Sequence, residues 1–112
     1  MPIMTEPRAA AERPNRDFAA HVLELVGAIP PGRVMTYGDV AAALGSRRAR
    51  AVGTIMANCG ADTPWWRVIR AGGLPPRGLE DRAVAHYLVE GTPLIGPRDK
   101  FRIDLARARH RV

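Results

Sequence analysis

The chain has 112 residues, enough for one domain with a single modest core. Seventeen lysines and arginines against 11 acids give a formal charge of +6, and every basic residue except Lys100 is an arginine. Arginine forks match phosphates and base edges, so nucleic acid leads the partner classes. A single cysteine excludes an internal disulfide framework and a cysteine-based zinc site, and no apolar run approaches a membrane span.

The opening MPIMTEPRAAAERPNR carries three prolines and lacks the apolar core of a signal peptide. It reads as a disordered leader over residues 1–16, with the folded domain at 17–112, in a cytoplasmic, monomeric protein. DFAAHVLELVGAIPPG then places Phe18, Val22, Leu25 and Val26 on one helical face, with Asp17 as cap and Pro30, Pro31 and Gly32 as the stop. RVMTYGDVAAALGS starts extended. Thr36 then caps a second helix, with Asp39 at capping-box spacing, and Gly45 ends it. Ser46 is the candidate cap of a third helix, RRARAVGTIMAN, with Val52, Ile55 and Met56 inward. Two short helices about a Gly-Ser turn outline a helix-turn-helix, with Arg47, Arg48 and Arg50 at the end where a recognition helix meets DNA. A plain helical hairpin with a basic surface fits the same outline.

After CGADTP, WWRVIR reads as a strand holding both tryptophans of the chain. Successive strand side chains face opposite ways, so at least one ring faces a cavity, a partner or solvent. AGGLPP is a turn. LEDRAVAHYLVEG is helical, with Ala83, Val84, Tyr87 and Leu88 inward, and TPLIGPRDKFRIDL gives two short strands about a turn. The fold class is therefore mainly α with a small β hairpin, a winged helix-turn-helix. The tail ARARHRV is basic and either lies beside DNA or is disordered.

Catalytic chemistry is sparse. His21, His86 and His110 sit in no motif with an acid or a nucleophile, and each reads as a packing or surface residue. Cys59 has no histidine near it in sequence and reads as a buried, inert thiol. With no phosphate-binding glycine loop, metal cluster or paired carboxylates, no cofactor and no metal are expected.

From Ile29 onward, IPPGRVMTYGDVAAALG, RAVGTIMAN, PWWRVIRAGG and the EG after a helix follow a specific order and spacing. Over roughly residues 17–105 they resemble the DNA-binding domain of O6-alkylguanine-DNA alkyltransferases. Those proteins carry Pro-Cys-His-Arg-Val where this chain has Pro64-Trp65-Trp66-Arg67-Val68. Tryptophan at the nucleophile position is characteristic of alkyltransferase-like proteins, which bind O6-alkylguanine without repairing it and pass it to nucleotide excision repair. The resemblance implies double-stranded DNA containing O6-alkylguanine and nucleotide excision repair proteins as partners, with no catalytic residue.

Residue by residue, the resemblance makes Arg50 the finger that replaces the extruded nucleotide. Tyr37 becomes the ring that crowds the backbone phosphate. Ala49, Ala51 and Gly53 are the small residues that admit the minor groove. Arg47 and Arg48, on the same helix by sequence, read as phosphate contacts or as solvated surface charges. Tyr37, Pro64, Trp65, Arg67 and Val68 would form the lesion pocket, with the carbonyls at 65 and 68 accepting from the guanine amine. Asn58 would brace the turn before it. Trp66 stands where histidine is usual, so Glu90 has lost its customary partner, and the Trp66 indole N–H or a water is the replacement donor. Two other readings remain at this level: a helix-turn-helix regulator reading a fixed operator, and an active alkyltransferase using Cys59.

Overall fold

The computed structural model describes residues 14–112. Residues 1–13 of the expected leader lie outside the described residues. The first helix, α1, spans Pro14–Gly27 and begins three residues before the expected cap. Proline fits the first helical turn because the amide it lacks has no intrahelical partner there, so Asp17 sits inside the first turn. Val22 and Val26 are fully buried, and Phe18 and Leu25 pack partly buried against the same core. The chain leaves α1 through Pro30 and Pro31 to Gly32, whose φ of 83° is left-handed. A Cβ there would also come within 3.1 Å of the Glu90 carbonyl, so glycine serves both the turn and the close approach.

Strand β1 (Met35–Thr36) runs into helix α2 (Tyr37–Ala43) through a complete capping box. The Asp39 amide donates to Thr36 Oγ1 at 2.9 Å, and the Thr36 amide donates to the Asp39 carboxylate at 3.1 Å. Helix α3 (Ala49–Cys59) packs on α2 and on α1. Its start differs from expectation, because Ser46 Oγ accepts from the Arg48 amide at 3.0 Å and so holds the turn instead of capping the helix. Arg48 takes the cap position without a side-chain cap bond, which leaves Arg47 and Arg48 in the turn and only Arg50 in the first helical turn.

The strand reading of WWRVIR is corrected by the structure. Trp65–Arg67 form a 3-10 turn, and β2 is only Val68–Ile69. The Arg67 amide donates to the Pro64 carbonyl at 3.0 Å and the Trp65 amide to the Thr63 carbonyl at 2.7 Å. These tight local bonds preceded by proline replace a sheet ladder. The rings still diverge, because successive side chains of a 3-10 turn fan about 120° apart. β2 pairs in parallel with β1, Met35 opposite Val68 and Thr36 opposite Ile69.

Helix α4 (Glu80–Glu90) buries Ala83, Val84 and Tyr87, but Leu88 is 51% exposed, against the expectation that it faces inward. The packed stripe follows Ala83, Tyr87 and Glu90 at helical spacing, and Leu88 lies one residue round from it. β3 (Leu94–Ile95) and β4 (Arg102–Ile103) form the antiparallel wing, Leu94 opposite Ile103, with a 3-10 turn over Arg98–Lys100 at its tip. A last short helix, α5 (Leu105–Ala108), leads into the basic tail, which is ordered. The Val34 amide donates to the Ala108 carbonyl at 2.9 Å and the His110 amide to the Val34 carbonyl at 2.8 Å, while Arg109 pairs with Asp39 at 2.9 Å. The tail therefore ties back onto β1 and the capping box, where its backbone groups find partners.

One core cluster lies under the helix-turn-helix around Val22, Val26, Val40, Val52 and Val68. A second lies between α4 and the wing around Ile69, Ala83, Tyr87 and Ile103. Trp65 packs against both, at the seam between them. Among the described residues no helix is long and apolar enough to cross a membrane.

Candidate nucleic-acid interface

The outer face of α3 and the start of α2 border a groove of about 730 Å³, lined by Tyr37, Ala49, Arg50, Gly53, Thr54 and Ala57 on one side and by Arg70, Ala71 and Arg77 on the other. The α3 residues that reach it follow helical spacing, and they are small apart from Arg50. Gly53 is informative because a Cβ built there would approach nothing closer than Tyr37 Cδ1 at 4.0 Å. The fold itself does not require glycine at this position. Tyr37 is half-buried. Burial pushes its hydroxyl above the usual value, with the nearby Arg70 charge opposing, so it stays a neutral phenol.

Trp65 walls a second cleft of about 240 Å³ that shares Tyr37, Gly53, Ala57 and Arg77 with the groove. A third, of about 210 Å³, continues past the same indole toward Gly60, Ala61 and Arg82. The middle cleft shares walls with the groove and with the third cleft, and Trp65 lines the two clefts but not the groove itself.

Behind Trp65 the chain is tightly bonded. Arg67 forks onto Glu90, with Nε to Oε1 at 3.1 Å and Nη2 to Oε2 at 2.6 Å, and its Nη1 donates to the Ile29 carbonyl at 2.9 Å. Glu90 also accepts the Gly32 amide at 3.0 Å and the Trp66 indole N–H at 2.9 Å. The indole therefore makes the replacement contact expected from the loss of histidine. Burial pushes the Glu90 carboxyl up. The Arg67 bond, the Gly32 amide, the Trp66 indole and the Arg67 charge outweigh it and hold the group below its usual value. The Tyr87 hydroxyl donates to the Trp66 carbonyl at 2.7 Å, and burial pushes its pKa far up, keeping it a donor.

Of the residues singled out in the sequence, Tyr37, Ala49, Arg50 and Gly53 meet in the groove, and Tyr37, Gly53 and Trp65 meet in the cleft behind it. Arg47 and Arg48 are exposed on the preceding turn, and Ala51 faces partly inward on α3, so none of the three lines these rooms. Arg67 points back to Glu90, Val68 is fully buried in the core, and Pro64 is half-buried as the first residue of the turn. The Trp65 carbonyl already accepts the Val68 amide. Asn58 is exposed and has no side-chain hydrogen bond among the described residues. The Thr63 hydroxyl, donating to the Gly60 carbonyl at 2.6 Å, is what braces that loop.

Cys59 is exposed, not buried as its composition class suggested, because it ends α3 on the side away from the core. Arg70 and Arg77 escaped notice in the sequence, whereas His86, read there as a packing or surface residue, packs on both tryptophans. The two arginines flank AGGLPP, which read only as a turn although it closes the groove. His86 lies four residues before Glu90 and hence on the same helical face, which was the available signal. Among the described residues no cluster of histidine, cysteine and acids could hold a metal.

Residues 17–88 match the family described as 6-O-methylguanine DNA methyltransferase, DNA binding domain. The DNA base-flipping protein of Escherichia coli (strain K12) is 40% identical over 97 residues, covering 82% of this chain and 73% of that protein. The same identity and coverage hold for the DNA base-flipping protein of Shigella flexneri. The crystal structure of S. pombe Atl1 in complex with damaged DNA containing O6-carboxymethylguanine superposes with a TM-score of 0.74 at 28% identity, covering 87% of this chain and 97% of Atl1. With nearly two thirds of its length inside the family match and a relative this similar, the chain belongs to the family of the 6-O-methylguanine DNA methyltransferase DNA-binding domain.

Proposed function

We propose that residues 17–112 act as one winged helix-turn-helix DNA-binding unit that senses O6-alkylguanine without repairing it. The protein extrudes the damaged nucleotide from the minor-groove side, holds the base against Trp65 and leaves the lesion marked for nucleotide excision repair proteins. The observation that carries this reading is Trp65 in the Pro64-x-x-Arg67 turn, walling a cleft that opens into the α3 groove. Alkyl transfer needs a thiolate made by a neighbouring base. Indoles occupy both positions here, and Glu90 is committed to Arg67, Gly32 and Trp66.

The energetics fit. Extruding a base costs a few kcal/mol, least for an already damaged pair. Arg50 entering the stack recovers part of that cost, and stacking on an indole contributes roughly 1–3 kcal/mol. Arg47 and Arg48, exposed on the turn, make phosphate contacts that carry no sequence information. We infer a cytoplasmic monomer with no cofactor. The test is affinity for two duplexes that differ only in one O6-methylguanine. A clear preference for the lesion supports a sensor. Equal affinity, with selectivity for some undamaged sequence instead, would support an operator-binding regulator.

A further inference from the structure

Tryptophan at position 66 gives this chain an aromatic cluster with one member that no role described so far uses. The His86 ring lies flat on Trp66, centroids 3.6 Å apart and planes 8° from parallel. It also meets Trp65 edge-on at 5.7 Å and 80°, while the two indoles meet edge-on at 5.5 Å and 87°. Each ring therefore touches the other two.

Trp66 is fixed from several sides: its N–H is bonded to Glu90, its carbonyl accepts from Tyr87, and the Arg67 guanidinium lies 5.4 Å from its ring. Trp65 has no side-chain hydrogen bond among the described residues, so its orientation rests on packing alone. Besides the two core clusters it packs against, it meets the Trp66 and His86 rings, each at a near-perpendicular angle. His86 and Glu90 are one turn apart on α4, so a single helix grips Trp66 by its face and by its N–H while reaching Trp65 with the same imidazole.

We propose that His86 is a positioning residue for lesion recognition: as a flat ring on α4 it holds the Trp65 and Trp66 pair perpendicular, and so sets the wall against which the extruded base stacks. The proposal rests on the reading of Trp65 as that wall. His86 does not touch the base in this scheme. Its contribution is preorganisation, since a wall already fixed loses no rotamer freedom when the base arrives. What the site needs at 86 is a planar ring of modest size, so phenylalanine should serve and alanine should not.

Two readouts on the wild type, His86→Ala and His86→Phe test this. The first is the exciton couplet in the circular dichroism of the DNA-free protein, which two indoles at this separation and angle produce. The second is affinity for the O6-methylguanine duplex and its guanine control. His86→Ala should weaken the couplet and lower affinity for the lesion duplex by about three- to tenfold, the range of an aromatic pair contact, with guanine-duplex affinity unchanged. His86→Phe should restore both. A couplet and a lesion affinity untouched by His86→Ala would overturn the proposal, as would a His86→Phe variant no better than alanine. If the wild type itself shows no lesion preference, the sensor reading fails, and the couplet alone decides whether His86 holds Trp65.

Discussion

Removing the indole N–H of Trp66 while keeping an aromatic ring isolates the contact that replaces the lost histidine. In Trp66→Phe the Glu90 carboxylate keeps three of its four donors, the Arg67 Nε and Nη2 and the Gly32 amide, so the charge is not left unpaired. The loss is one hydrogen bond to an ionised acceptor, about 1.5–3 kcal/mol. Stacking on His86 is largely retained by the smaller ring. At about 4–8 °C per kcal/mol for a domain of this size, the Tm should fall by roughly 8–16 °C for a loss near 2 kcal/mol.

The pH dependence separates this bond from mere packing. Glu90 is held below its ordinary value of 4.5 in the folded protein. A depressed carboxylate contributes stability that is fully present above the unfolded value and is lost as pH falls through the folded one. The deficit of Trp66→Phe should therefore be largest at neutral pH and shrink below about 4.5 as the carboxyl takes up a proton. Urea unfolding of both proteins across that range measures it. A deficit that stays constant with pH, or one absent at neutral pH, would refute the assignment of the indole to Glu90.

Incubation with O6-methylguanine DNA should leave the intact mass unchanged, whereas a gain of one methyl on the exposed Cys59 would contradict the non-enzymatic reading. Arg50→Ala should reduce the preference for lesion over guanine. Arg47→Ala should weaken both duplexes alike and lower the salt slope by about one unit, as loss of a phosphate contact does. Gly53→Ala should stabilise the fold by about 0.5–1 kcal/mol through helix propensity, since its Cβ meets only ordinary contacts. It should nonetheless weaken DNA binding, and thermal unfolding alongside duplex affinity checks both halves.

Much of the scaffold was legible because its signals are local. Thr36 and Asp39 declare the capping box by spacing alone, and the wing strands by alternation about a turn. The misreadings came where a distant or unusual partner decides. Trp65–Arg67 look like a strand by composition, but the tight bonds after Pro64 curl them into a 3-10 turn. The tail looks like a loose basic end, but Val34 offers it a sheet edge and Asp39 an ion pair, neither visible in ARARHRV. Ser46 reads as a helix cap and is spent on the Arg48 amide one step earlier. At the site, the resemblance nominated Trp65, Tyr37, Arg50 and Glu90, and the pairing of Trp66 with Glu90 followed from asking what replaces a missing donor. Arg70, Arg77 and His86 needed coordinates, because each enters the site from an element whose own pattern points elsewhere.

The central claim is that a damaged base stacks against Trp65, and the only two tryptophans of the chain both lie at that point. Their fluorescence, followed during titration with a duplex carrying one O6-methylguanine and with its guanine counterpart, tests the claim most directly. Saturable quenching by the lesion duplex, at concentrations where the guanine duplex leaves the emission unchanged, is the predicted result. Superimposable curves for the two duplexes would contradict it.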